Sequence, residues 1–161
     1  MAVSGDEFKK ALQLWASGVA VVTTKSEKFG IQGMTVTAFS SVSIDPPQIL
    51  VCINQSADTG EGIKVSKRFS VNVLKAGQED VSNQFAGGSS QQQRFENTDW
   101  EPGISGTPLL SQSLMSLDCE VVDTLHSGTH TIIIGEVQSA ILRSGEPLLY
   151  YRGAYQKLAA D

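Results

Sequence analysis

Neutral hydroxyls gather where charges are expected in residues 33–47, GMTVTAFSSVSIDPP. At the strand period of two, Met34, Val36, Ala38, Ser40, Val42 and Ile44 form one face. Thr35, Thr37, Phe39, Ser41, Ser43 and Asp45 form the other. The first face reads as core. The second should meet water, yet it lacks the Lys, Glu and Arg of a solvated strand. Such a row suits a bound molecule that needs many uncharged hydrogen-bond partners and an apolar wall. Thr35 and Thr37 are also ordinary strand formers, so the signal is their company rather than either residue. The other candidate is His130, which alternates with Ile132 and Ile134; a lone histidine so placed is more often structural.

Other chemistries find little support. Hydroxyls, His126 and His130 are present, but no GxSxG nucleophile elbow accompanies them. No carboxylate pair stands out for glycosidase chemistry. Cys52 and Cys119 each sit in an apolar run and read as buried free thiols. HExxH, CxxC and P-loop patterns are missing, and no GxGxxG follows a strand, so neither zinc nor a Rossmann nucleotide site is expected. A flavin ring is one ligand with the required character, having a polar edge, a greasy edge and its own reactivity. Thr35, Thr37 and Ser41 could line it, and the small polar run Asn54–Thr59 leads into a predicted helix suited to a phosphate.

Composition narrows the class. The 161 residues suit one domain, 1–161, with a core that needs no staples. A net charge of -5 gives no basic footprint for nucleic acid. No apolar run has the length of a membrane span, and MAVSGDEFKK lacks a signal-peptide plan, so a cytoplasmic protein is expected.

The elements that must position these residues alternate little. Ser4 with Glu7 forms a capping box for a helix carrying Phe8, Ala11, Leu12 and Trp15, with Gly18 as its stop. Strands follow at 19–25, 32–44 and 48–54, the last apolar throughout and expected to be buried on both faces. Helices are predicted at 58–67 and 78–86, and strands at 68–74, 114–125, 129–142 and 147–153. Residues 87–107, rich in Gly, Ser and Gln, read as a surface excursion with Gln91–Gln93 a solvated loop. Six or seven contiguous strands with two or three helices favour a closed or nearly closed antiparallel barrel.

Four stretches in order carry a resemblance: GMTVTAFSSVSIDPPQILVCINQS, RFSVNVLKAGQEDVSNQFAG, GTHTIIIGEV and PLLYYRGAYQKL. They resemble the flavin reductase family, the small reductase components of two-component flavin-dependent aromatic monooxygenases. The likeness runs from about Phe8 to Leu158. It implies a mainly β fold, a split β-barrel of the FMN-binding-protein type with Greek-key antiparallel strands and a few flanking helices, and a homodimer. It implies that Met34, Thr35, Val36, Thr37, Ala38, Phe39 and Ser41 contact the flavin ring and ribityl chain. Cys52, Asn54, Ser56 and Thr59 would serve the phosphate region, and Phe85 and Ala86 would close against the cofactor. His130 would meet the nicotinamide nucleotide, with Arg152 and Tyr155 bordering the same cleft.

Two departures stand out. Thr129 precedes the histidine where relatives often have Asp, and Gln55 follows the asparagine where many carry Arg. A phosphate site without that arginine, near Asp58, implies a loosely held flavin. The expected activity is reduction of FMN or FAD by NADH or NADPH, the reduced flavin then serving a separate monooxygenase, with no metal and no catalytic acid–base dyad. The alternative is a flavin-binding module that carries FMN without turning over NAD(P)H; a weaker one is an oxidase of a pyridoxine-type substrate on the same barrel. Trp15, Trp100, Tyr150 and Tyr151 read as core or dimer-interface aromatics, and His126 as a surface turn residue.

Overall fold

The computed structural model describes residues 2–159. The chain opens with α1 (Gly5–Leu12), then β1 (Ser17–Gly18), β2 (Ala20–Ser26), β3 (Gly30–Val36), β4 (Phe39–Ser43) and β5 (Gln48–Asn54). Next come α2 (Asp58–Ser66), β6 (Arg68–Val73), α3 (Glu79–Ala86) and α4 (Gln91–Glu96). The remainder is β7 (Trp100–Pro102), β8 (Pro108–Leu110), β9 (Met115–Ser127), β10 (His130–Leu142), β11 (Leu149–Tyr151) and β12 (Ala154–Gln156). The capping box is present: the Glu7 amide donates to Ser4 Oγ, and the Ser4 amide donates to the Glu7 carboxylate.

Seven antiparallel strands form the main sheet in the order β3-β2-β6-β9-β10-β5-β4. Its two outermost strands are consecutive in sequence, separated only by Thr37 and Ala38. A sheet whose ends are joined by two residues must roll up, and the result is a split β-barrel. Inside lie Val22, Val36, Val51, Ile53, Phe69, Val71 and Ile133. A second core sits outside β2 and β3, where Val19, Val21, Leu74 and Leu148 meet Phe85 and Phe95. β2 is thus buried on both faces.

Three expectations change. Residues 32–44 are two strands, because β3 pairs with β2 and β4 with β5, and the chain crosses between them at Thr37–Ala38. The expected core parity ends at Val36; Val42 is exposed and Ile44 is 95% exposed. β5 alternates rather than being buried throughout: Ile49, Val51 and Ile53 point inward, while Leu50 and Cys52 are half-buried on the outer face. The 87–107 segment is no simple excursion. Its α4 carries its own capping box, Ser90 with Gln93, and delivers buried Phe95 edge-on to Phe85, ring centroids 5.1 Å apart. Gly33 permits this approach, since a Cβ there would stand 2.8 Å from Phe85 Cε1. The Gly33 amide donates to Gln91 Oε1 at 2.8 Å, and Arg94 Nη1 donates to the Gly33 carbonyl at 2.7 Å. Two side chains from the Gln-rich run therefore hold the backbone of β3.

Candidate functional site

The predicted hydroxyl face divides into three. Thr35 Oγ1 donates to the Ser82 carbonyl at 2.6 Å, which fastens β3 to α3. Ser41 is exposed on β4, and its carbonyl accepts from Ser40 Oγ. Thr37 remains, at the crossing between strands, on the wall of a cleft of about 650 Å³. That volume lies within the roughly 300–1,000 Å³ of small-molecule sites.

Three segments enclose the cleft. Thr37–Ser40 with Leu50 and Cys52 form its floor. Lys9, Leu12 and Trp15 from α1 and its exit form one side. The turn between β11 and β12 forms the other with Tyr150, Tyr151, Arg152 and Gly153. Arg152 and Gly153 have φ 53° and 76°, the paired positive values of a tight two-residue hairpin turn. The Arg152 amide donates to the Gln13 carbonyl at 2.9 Å, fastening the turn to α1, and its guanidinium lies 5.3 Å from the Tyr151 ring centre. Tyr155 buttresses from behind: it meets Tyr150 edge-on, and its hydroxyl reaches Ser82 Oγ and Asn83 Oδ1 in α3.

Lys9 and Arg152 are the charged groups of the lining, which contains no carboxylate. In a chain of net charge -5 this is a local positive site, and it attracts anionic ligands.

His130 stands beyond the floor. β10 pairs His130 with Asn54, Ile132 with Cys52 and Ile134 with Leu50, so His130 shares the cleft's side of the sheet. Thr129 Oγ1 lies 2.9 Å from His130 Nδ1, the place a carboxylate would take in the expected pattern. Gln55 ties the same turn to the end of β5, its amide donating to the Thr129 carbonyl and its Nε2 to the His130 carbonyl. Asn54 Oδ1 accepts from the amide and hydroxyl of Ser56, so those groups form a closed turn.

Of the predicted site residues, Thr37, Ala38, Phe39, Cys52 and Arg152 come together in the cleft. Asn54, Ser56 and His130 gather at one end of its floor strand, while Met34 and Val36 face the barrel core. Ala86 is exposed at the end of α3. Two of the predicted residues are fully buried. Phe85 is wholly enclosed between Gly33 and Phe95, so its ring belongs to the second core. Thr59 is also fully buried, with no partner for its hydroxyl. Trp100 packs on Phe95 as a core aromatic, but Trp15, Tyr150 and Tyr151 line the cleft. Lys9 and Leu50 were missed. Lys9 reaches the cleft only because a hairpin more than a hundred residues away in sequence folds against α1.

Known proteins resemble this chain over nearly its whole length. Residues 12–159 match the family described as flavin reductase like domain. The chain is 39% identical over 161 residues to an FMN reductase (NADH) of Pseudomonas syringae pv. syringae, covering 99% of this chain and 90% of that protein. It is 34% identical to the reductase subunit HsaB of a flavin-dependent monooxygenase of Mycobacterium tuberculosis, covering 92% and 79%. The solved structure of the NADH:FAD oxidoreductase SgcE6 of Streptomyces globisporus superposes with a TM-score of 0.92 at 31% identity, covering 100% of this chain and 98% of that one. This chain belongs to the flavin reductase family.

Proposed function

We propose that this protein is an NAD(P)H:flavin oxidoreductase that reduces FMN or FAD and hands reduced flavin to a separate monooxygenase component. The cleft carries the reading: it joins an apolar wall, neutral hydroxyls and two cations in about 650 Å³. Those features fit a flavin phosphate, whose ring needs the wall and whose anion needs the charges. Bound flavin supplies the hydride-accepting chemistry, with NAD(P)H as the source of two electrons.

The chain's own task is alignment and exclusion of water, which needs no acid–base dyad. Phe39, Leu50 and Trp15 shield the site, while Thr37, Ser40 and the Ala38 backbone orient a polar ring edge. Lys9 and Arg152 supply the positive field that draws an anionic ligand into the cleft. His130, its Nδ1 engaged by Thr129, keeps Nε2 for the nicotinamide nucleotide. Tyr155 positions Tyr150 and does not reach the cleft.

A homodimer belongs to the proposal. Phe8, Leu12, Leu14 and Trp15 are each more than half exposed, an apolar surface beside the cleft that a second copy would cover. A cytoplasmic setting is consistent with two unpaired thiols, Cys52 and Cys119. No helix among the described residues is long and apolar enough to cross a membrane. The names of the relatives support both the NADH dependence and the monooxygenase partner.

The test mixes purified protein with NADH or NADPH, with and without FMN or FAD, and follows nucleotide absorbance. Flavin-dependent oxidation is the expected result and identifies the preferred pair. Flavin binding without oxidation would instead leave a flavin-carrying module.

A further inference from the structure

A second cleft, of about 220 Å³, opens on the opposite face of β5. Strand alternation separates the two: Leu50 and Cys52 line the first, whereas Ile53 joins Ile63 and Ile133 as the apolar floor of the second. Asn54 stands at the mouth of this second cleft, and it shares the sheet face of Cys52. A ligand following β5 outward from Leu50 would travel about 13 Å, reach the Asn54–Gln55–Ser56 turn and round the end of the strand.

The rim carries cations. Lys64 pairs with Glu61 at 2.7 Å, which neutralises the one carboxylate there. Lys67 has no acceptor among the described residues. Its backbone is unusual. With φ 57° it closes α2 in the left-handed conformation, its amide donating to the Ile63 carbonyl at 2.8 Å. Glycine is the ordinary residue at such a cap. A lysine accepted against that preference, on a cleft rim, points to a use for its charge. His126 completes the rim, its Nδ1 held 2.9 Å from Thr131 Oγ1, so a fixed aromatic ring borders the opening.

Size selects the occupant. At about 220 Å³ the cleft is smaller than a site for a drug-sized molecule, but it suits a planar heterocycle. An apolar floor, an aromatic ring at the rim and ammonium groups at the mouth match a purine base followed by phosphates. We infer that this cleft receives the adenosine diphosphate half of a dinucleotide whose other half lies in the first cleft. The inference rests on the flavin reductase reading. FAD and NAD(P)H both carry that half, and the short forms FMN and reduced nicotinamide mononucleotide lack it.

The experiment compares long and short forms on the intact protein. Affinities for FAD and FMN come from fluorescence titration, and KM values for NADH and reduced nicotinamide mononucleotide from steady-state kinetics. The variants are Lys67→Gly, which suits the helix cap while deleting the charge, and Lys67→Arg, which keeps the charge. The wild type should favour the long form about tenfold in one of the pairs. Lys67→Gly should cut that ratio at least about fivefold and Lys67→Arg should preserve it. A change confined to the flavin pair assigns the cleft to FAD; one confined to the nicotinamide pair assigns it to NADH. Equal binding of long and short forms in both pairs, or a ratio that Lys67→Gly leaves intact, overturns the inference while FMN-dependent oxidation still upholds the reductase reading. Failure to bind either flavin or oxidise either nicotinamide overturns both.

Discussion

Hydroxyls and amides line two opposite sides of this barrel, and they do different work. Between β6, β8 and β9 they are buried and mutually engaged. Asn72 Nδ2 donates to the Val21 carbonyl and Thr23 Oγ1, while its Oδ1 accepts from the Leu110 amide and Ser116 Oγ. Asp118, also buried, accepts from the Ser105 amide and hydroxyl and from Thr107 Oγ1. At the α1–β4–β5 side, Thr37 and Ser40 face an open cleft. A polar strand face is therefore ambiguous by itself. The distinction lies in whether neighbouring backbone closes over it, as the β7–β8 segment does on one side only.

Cutting into the closed side should have the largest effect. Asn72→Ala leaves several buried donors and acceptors unpaired and should cost about 2–4 kcal/mol of stability, read as a lower urea midpoint. Thr37→Ala on the open side should leave that midpoint nearly unchanged and weaken flavin binding about three- to tenfold. Equal destabilisation by both variants would erase the contrast. Next in size, His130→Ala should raise KM for NAD(P)H about tenfold, the loss of one hydrogen bond to a charged ligand, with flavin affinity kept. Wild-type nucleotide kinetics would return His130 to a structural role.

The cysteines sharpen the same comparison. Cys52 borders the cleft, whereas burial, and then the Asp118 carboxylate, push the Cys119 thiol up to about 12 from its ordinary 9.0. A disulfide reagent at neutral pH should modify one thiol quickly, with bound flavin slowing the reaction. The folded state holds the Cys119 proton more tightly than the unfolded chain does. Its contribution to stability is complete below 9.0 and is lost as pH climbs toward 12. Cys119→Ala should flatten that alkaline decline in a series of denaturation midpoints.

The smallest effect concerns α1. The Ser4 amide, then its hydroxyl, holds the exposed Glu7 carboxyl below its ordinary 4.5. The cap is complete above that value and weakens as pH falls through the lowered one. Ser4→Ala should remove this acid-side dependence from the helical signal of α1 and slightly loosen flavin binding through the wall that α1 provides.

Local signals were legible. The capping box at Ser4 and Glu7, the helix at 58–66 and the long β9–β10 hairpin follow from spacing and propensity within a few residues. The crossing at Thr37–Ala38 was not, because nothing in TVTAFS opposes a continuous strand; the break is imposed by closing the sheet. The cleft's outer walls were hidden for a related reason. Lys9 and Arg152 meet because α1 and the β11–β12 turn share one backbone hydrogen bond, from Arg152 to Gln13. The packing of Phe85 was hidden because its partner, Phe95, lies in a segment whose composition reads as solvated loop.

That segment has one more consequence. A rolled sheet still presents two outermost backbones, and a bare one templates aggregation with another chain. Here Gln91 and Arg94 occupy the amide and carbonyl of Gly33, and β4 on the other border is five residues long with an irregularity between Ser41 and Ser43. Gln91 and Arg94 thus obstruct that border against another chain, and replacing both by alanine, with Phe95 left in place, is expected to lower solubility before stability.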